Sequence, residues 1–191
     1  MPGKRVWLSA ALLAPCLLAP LRQYAVNVDA YFMYGMRTVA SDEIRGVYGN
    51  GYVFYPAVSV TLPKGFYVGA GYEGGYSRSG LIGIFEDPTT LKVSGAEAFA
   101  GYELKMRAVR LYAKAGLGFY RYKQSIDFPG LPYEIDGRKS APLAALGARL
   151  FAFKGLFVIT ELKYVSMKVR PVDVEVDLGG IRLLGGLGYR F

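Results

Sequence analysis

Apolar and polar residues trade places at every second position through eight separate stretches of the chain. A period of two is that of a β-strand, whose successive side chains point to opposite faces. Val26, Val28, Ala30, Phe32 and Tyr34 alternate with Asn27, Asp29, Tyr31, Met33 and Gly35, predicting a first strand over about 24–37. A second, over about 51–62, sets Phe54, Val58, Val60 and Leu62 against Tyr55, Ala57, Ser59 and Thr61. A third, over about 66–77, sets Phe66, Val68, Ala70, Tyr72 and Tyr76 against Tyr67, Gly69, Gly71, Glu73 and Gly75. The fourth, about 92–104, has Ala96, Ala98, Ala100, Tyr102 and Leu104 on one side and Gly95, Glu97, Phe99, Gly101 and Glu103 on the other. The fifth is the most regular, with Val109, Leu111, Ala113, Ala115, Leu117 and Phe119 opposite Arg110, Tyr112, Lys114, Gly116, Gly118 and Tyr120.

In the sixth stretch, about 140–152, Ala144, Leu146, Ala148 and Leu150 face away from Arg149. The seventh, about 156–169, sets Leu156, Val158, Leu162 and Tyr164 against Phe157, Ile159, Glu161 and Lys163. The eighth closes the sequence: Ile181, Leu183, Gly185, Leu187, Tyr189 and Phe191 share one face, and Arg182, Leu184, Gly186, Gly188 and Arg190 the other. Val172, Val174 and Val176 run out of phase with it, a slip that Gly179 and Gly180 can absorb as a bulge.

The connections alternate in length. Pro63-Lys64-Gly65, the stretch from Lys105 to Ala108, and Phe153-Lys154-Gly155 read as tight turns. By contrast 38–50, the stretch through Glu86-Asp87-Pro88, and 123–137 read as long loops, the last being the longest. Short turns on one side and long loops on the other are the asymmetry of a membrane barrel, with the turns and termini periplasmic and the loops outside.

The charges sort by face. Asp42, Glu43, Glu86, Asp87, Asp127, Glu134, Asp136, Asp173, Glu175 and Asp177 fall in the long connections, and the remaining acids fall opposite the apolar face. Asp29, Glu73, Glu97, Glu103, Arg110, Lys114, Arg149, Glu161, Lys163 and Arg182 are therefore predicted to form an ion network inside a barrel, with Arg190 on the same face. Eight strands enclose a lumen that side chains just fill, and paired ions there escape the penalty of lone burial. Counting from the short turns places Glu73, Glu97, Lys114, Glu161, Lys163 and Arg182 in an upper layer, and Asp29, Glu103, Arg110 and Arg149 in a lower one. The apolar face carries almost no charge in mid-strand, as lipid contact requires, since Arg or Lys at the midplane costs about 2–4 kcal/mol. A soluble lipocalin-like ligand-binding barrel needs the reverse arrangement, apolar inside and polar outside.

Composition fits strands better than helices. Of 191 residues 52% are hydrophobic, with 25 glycines and 16 tyrosines, and past the first segment no run of about 18 apolar residues could span as a helix. The formal charge of +8 would bring nucleic acid to mind, but the basic residues are scattered along strands and turns, without a cluster or a nucleic-acid motif. Lys4 and Arg5 followed by VWLSAALLAPCLLAP have the layout of a secretory signal peptide over 1–23, with cleavage placed between 19 and 25 and the barrel over 24–191. Leu13-Ala14-Pro15-Cys16 is a poor lipoprotein box, and a buried N-terminal helix is the competing reading of the segment. Cys16, the single cysteine, leaves no disulfide to argue from.

Eight alternating strands, an export segment and a terminus reading Leu187, Tyr189, Phe191 resemble the small OmpA/OmpX-like outer-membrane β-barrels of Gram-negative-type bacteria. The resemblance is one of pattern over the whole chain after the signal. It implies an all-β fold, an eight-stranded antiparallel up-and-down transmembrane barrel, in a bacterial outer membrane among lipid and lipopolysaccharide. It implies that Leu187, Tyr189 and Phe191 are read by the barrel-insertion machinery, and that the barrel is a monomer without the peptidoglycan-binding domain of larger members.

Barrel enzymes of this kind resemble one another in using histidine, and the chain has none. No catalytic residue, cofactor or metal ligand is expected. Glu73, Glu97 and Lys114 read as structural ions, and Asp173, Glu175 and Asp177 as a solvated acidic run rather than a cation site. Gly69, Gly71, Gly74 and Gly75 are not a phosphate loop, because nothing helical follows them. Two functions remain open, a non-enzymatic surface or envelope protein and a narrow pore for small solutes.

Overall fold

A computed structural model describes residues 26–83, 86–128, 131–170 and 175–191. The predicted signal segment 1–23 lies outside the described residues, as do Val172, Asp173 and Val174. Eight strands close into an antiparallel barrel: β1 (Asn27–Arg37), β2 (Gly51–Thr61), β3 (Phe66–Ile82), β4 (Asp87–Met106), β5 (Val109–Phe128), β6 (Leu131–Phe153), β7 (Leu156–Val165) and, last in the chain, β10 (Gly180–Arg190). Each pairs with its sequence neighbour around the ring, and β1 closes on β10 with Asp29 opposite Arg190 and Arg37 opposite Arg182. The short β8 (Lys168–Val169) and β9 (Val176–Asp177) form a separate two-stranded ribbon.

The barrel turns its apolar face outward. Phe32, Val58, Leu117, Leu146, Leu162 and Leu187 are each more than half exposed, while the lumen-facing positions between them are buried. This arrangement excludes a lipocalin-like barrel. Aromatic residues rim the apolar belt at both ends. Tyr34 stacks on Tyr52 at 5.7 Å and Phe54 meets Tyr72 at 6.2 Å toward the long connections. Phe66 meets Tyr102 at 5.2 Å and Tyr189 meets Phe191 at 5.0 Å toward the short turns. From Val109 to Phe119 a strand tilted by about 40° rises about 26 Å along the barrel axis, the height of a lipid-facing band.

At the short turns Lys64, Arg107 and Lys154 take positive φ (68°, 52° and 37°), followed at Gly65 and Gly155 by φ of 89° and 93°. The longer connections differ from the sequence reading. The stretch 123–137 is not a loop: β5 and β6 continue as a paired hairpin, with Lys123 opposite Asp136 and Ser125 opposite Glu134. Its turn-like residues stay in the sheet because Arg121 bonds to Asp136 and Lys123 Nζ lies 2.9 Å from Glu134 across the strands. The connection through Glu86, Asp87 and Pro88 likewise shortens, since β3 runs to Ile82 and β4 starts at Asp87.

Within 38–50 lies a helix, α1 (Asp42–Tyr48). Ser41 caps it by accepting a hydrogen bond from Ile44 N, and Asp42 and Glu43 sit in the first turn, where the helix dipole favours them. The seventh strand ends at Val165 rather than about 169, and the chain turns away into the ribbon. Tyr76 is buried inside the barrel, not on the apolar face as the alternation predicts. The cause is a bulge between Glu73 and Tyr76, where Gly74 and Gly75 oppose a single residue of β4 and reverse the parity beyond.

Candidate functional site: the charged lumen

Inward positions of the eight strands place seven cations, Arg37, Arg110, Lys114, Arg149, Lys163, Arg182 and Arg190, around five carboxylates, Asp29, Glu73, Glu97, Glu103 and Glu161. They fall at two levels. In the lower, nearer the short turns, Arg149 Nη1 donates to Asp29 Oδ2 at 2.7 Å and Glu103 Oε2 at 3.0 Å. Arg190 donates to both oxygens of Asp29 at 2.5 and 2.7 Å and reaches Glu103 at 3.2 Å, while Arg110 donates to Glu103 at 2.8 Å. The two-pronged grip of Arg190 on Asp29, with Glu103 shared by Arg110, Arg149 and Arg190, makes this a fixed cluster rather than a loose cloud of charge.

In the upper level Glu73 is the hub. Lys163 Nζ lies 2.8 Å from its Oε2, and Arg182 and Arg37 approach its Oε1 at 3.2 and 3.5 Å. Lys163 also donates to Glu97 at 2.8 Å, and the Tyr120 hydroxyl donates to the same carboxylate at 2.5 Å. Lys114 Nζ lies 2.7 Å from Glu161, which accepts from the Tyr112 hydroxyl at 2.8 Å. Arg37 and Arg182 also donate to the backbone oxygens of Leu178 and Gly180, at 2.5 and 2.7 Å.

Aromatic rings fill the space between the levels. The Arg149 guanidinium sits 5.0 to 5.6 Å from the centroids of Tyr31, Tyr67, Tyr112 and Phe157. Lys114 lies 4.3 Å from Phe99, and Lys163 4.1 Å from Tyr55. Each contact adds cation–π attraction to a charge that has left water. Inward glycines make room for the rings: a Cβ on Gly71 would stand 2.6 Å from the Tyr55 ring, one on Gly147 2.3 Å from Tyr112, and one on Gly188 2.3 Å from Phe157.

Above the upper level the mouth closes with apolar side chains. Val39, Tyr48, Leu91, Val93, Met167, Val169 and Leu178 are buried in one cluster. The Tyr48 hydroxyl, held by α1, pairs with Thr89 Oγ1 at 2.8 Å and accepts from Gln124 at 2.8 Å. The lumen is thus occupied by paired ions and rings from the lower level to the mouth. Each of the five lumen carboxylates is engaged by a cation, and no group of three His, Cys, Asp or Glu placed to hold a metal occurs among the described residues. Of the solvated acids, Glu175 bonds to Arg170 at 3.0 Å and Asp177 accepts from the backbone of Met167 and Gly179; Asp173 is outside the described residues.

Arg190, which the alternation already places on this face, joins the network, and so does Arg37, which the sequence reading leaves out. Arg37 shares the odd-numbered parity of Asp29, Tyr31 and Met33, and that signal sufficed to find it. The apolar cap gave little, because Val39, Tyr48, Met167, Val169 and Leu178 come from connections outside the barrel strands, and only Leu91 and Val93 share a strand period. Leu187, Tyr189 and Phe191 all lie on the outer face, exposed, with Phe191 N donating to Val28 O at 2.9 Å.

No protein-family model and no curated protein matches the chain. Solved structures do. A major outer membrane protein from Thermus thermophilus is 11% identical with a TM-score of 0.64, covering 87% of this chain and 100% of that one. The outer membrane protein OprG from Pseudomonas aeruginosa is 10% identical with a TM-score of 0.58, over 87% and 95%. Neisserial surface protein A is 16% identical with a TM-score of 0.54, over 87% and 97%. At such identities the likeness is one of fold: the chain has the closed eight-stranded barrel of small outer-membrane proteins.

Proposed function

We propose that the chain is a non-enzymatic integral protein of a bacterial outer membrane, a plugged barrel that holds its long hairpins and α1 at the cell surface for interaction or envelope integrity. The observation that carries this reading is the inversion of the barrel: a belt of exposed Leu, Val and aromatic residues surrounds a lumen of buried ion pairs. Only a lipid surrounding stabilises such an outer face. Phospholipid and lipopolysaccharide are its neighbours, and Leu187, Tyr189 and Phe191 present the side chains that the insertion machinery reads. The paired lumen and the apolar cap argue against free diffusion of solutes.

Two measurements test it. The folded protein should migrate differently on SDS gels before and after boiling; solubility without detergent would overturn the membrane assignment. In planar bilayers it should give no steady conductance, and open channels of the wild type would favour the narrow pore instead.

A further inference from the structure

We infer that the outer face of the barrel, just above the lipid belt, carries a site for the phosphate of an anionic lipid headgroup, built on β3, β4 and β5 with Arg138 of β6 beside it. The inference rests on the membrane reading above. It starts from a breach of a pairing rule. Lys92 of β4 stands directly opposite Lys123 of β5, and Arg121 of β5 directly opposite Arg138 of β6. Facing residues of an antiparallel pair bring their Cβ atoms within about 5 Å, and like charges there destabilise the sheet. Facing cations also occur in the lumen, Arg37 with Arg182 and Arg110 with Arg149, where shared carboxylates reconcile them; here two such pairs stand side by side on the outer face.

The carboxylates nearby lie to one side. Asp136 bonds to Arg121 and Glu134 to Lys123, both from β6, and Lys92 and Arg138 have no carboxylate partner among the described residues. Between these cations the surface is hollow. A depression of about 370 Å³ is lined by Gly75, Tyr76, Ser77, Lys92, Val93, Ser94, Arg121 and Lys123. The bulge makes it, since Gly74 and Gly75 face Ser94 without side chains, and Gly75 holds φ at +89°. Three cationic donors and two hydroxyls around a glycine floor suit a tetrahedral oxyanion, with no acid in the lining.

Position decides the source of the phosphate. All four cations are on the outward face, and the next outward residue below Arg121 is Phe119, 61% exposed in the apolar belt. Two residues of strand separate them, about 7 Å. A lipid with its chains against Phe119 and Ala96 therefore brings its headgroup to Arg121 and Lys92.

The test uses the full chain in nonionic detergent, titrated with phosphatidic acid, with phosphatidylcholine of the same acyl chains, and with inorganic phosphate, bound lipid being counted by native mass spectrometry. Phosphatidic acid should be retained about tenfold over phosphatidylcholine, the effect of one charge-assisted contact. Lys92→Gln/Arg121→Gln should abolish that preference, whereas Lys105→Gln/Arg107→Gln, which removes the same charge from a short turn, should keep it. The single variant Arg138→Gln, outside the hollow, should weaken it less than the first double. Equal loss in both doubles, no preference in the wild type, or displacement of phosphatidic acid by millimolar inorganic phosphate would each overturn the lipid site. Gel mobility before and after boiling is read on every sample. A protein that keeps its heat-dependent shift and shows no lipid preference refutes the site alone, and one without the shift refutes the membrane reading.

Discussion

The same chemical pair occurs in two regions of this barrel with opposite consequences. Arg149 with Asp29 in the lumen and Arg121 with Asp136 on the upper hairpin are both guanidinium–carboxylate pairs. The first is fully buried on both sides and the second is 58% and 45% exposed. In the lumen each ion has given up its hydration, so the loss of one partner strands the other in a low dielectric. On the hairpin, water and salt take over at once when the pair breaks. The comparison teaches that ion pairs hold this barrel shut only where rings and strands keep water away from them.

The lumen should therefore break first at Glu73, the one carboxylate shared by Lys163, Arg182 and Arg37. Glu73→Gln leaves Arg37 and Arg182 without a carboxylate partner and Lys163 with Glu97 alone, and unfolding in urea is expected to show a loss of about 3–5 kcal/mol. Glu86→Gln, in an exposed turn, serves as the control and should leave the urea midpoint in place. Equal midpoints for the two would mean that the upper lumen is hydrated.

A charge placed on the wrong face sharpens the contrast. Ala115 is an outward residue of β5 near the middle of the belt, and Ala115→Arg should cost about 2–4 kcal/mol in lipid vesicles, the penalty of a cation at the bilayer midplane. Its inward neighbour Lys114 is tolerated one residue away because Glu161 and the Phe99 ring receive it. Lys114→Met leaves Glu161 with the Tyr112 hydroxyl as its remaining partner, so the single variant should be less stable than Lys114→Met/Glu161→Leu, where both charges go. If the double loses as much as the sum of its singles, the pair contributes packing rather than charge pairing. Only the single should raise conductance in planar bilayers.

The same physics explains what could be read from the sequence. In the membrane both faces of a strand are constrained, one by lipid and one by a filled lumen, so eight strands and the inward parity of Asp29, Glu97, Glu161 and Lys163 stood out from alternation alone. Above the membrane the outer face meets water and the constraint lapses. There the hairpin of β5 and β6 reads as a loop, since Ser125, Asp127 and Asp136 are turn-type residues that cross-strand pairing nonetheless holds in register. Tyr76 was placed on the wrong face because alternation is blind to an inserted residue; the Gly74-Gly75 pair inside a strand was the available sign. The apolar cap was invisible, because Val39, Tyr48 and Met167 meet only once the ring has closed.

The smallest effect should come from the hairpin pair itself, and pH reveals its sign. Hydrogen bonds from Arg121 hold the Asp136 carboxyl below the usual carboxylate range. A carboxyl depressed in the folded protein contributes stability that is present above its unfolded pKa of about 3.9 and is lost as pH falls through the folded value. Between pH 8 and pH 5 Asp136 is ionised in both states, so the thermal midpoints of wild type and Asp136→Asn should run parallel, with a gap near the limit of detection. Molar salt should close that gap, because the pair lies in water and is screened within a few ångströms. Below about pH 4 protonation removes what the substitution removes, and the two proteins should converge. A large gap that survives molar salt would show that the upper hairpin is shielded from water in the membrane, and the distinction between the two regions would fail there.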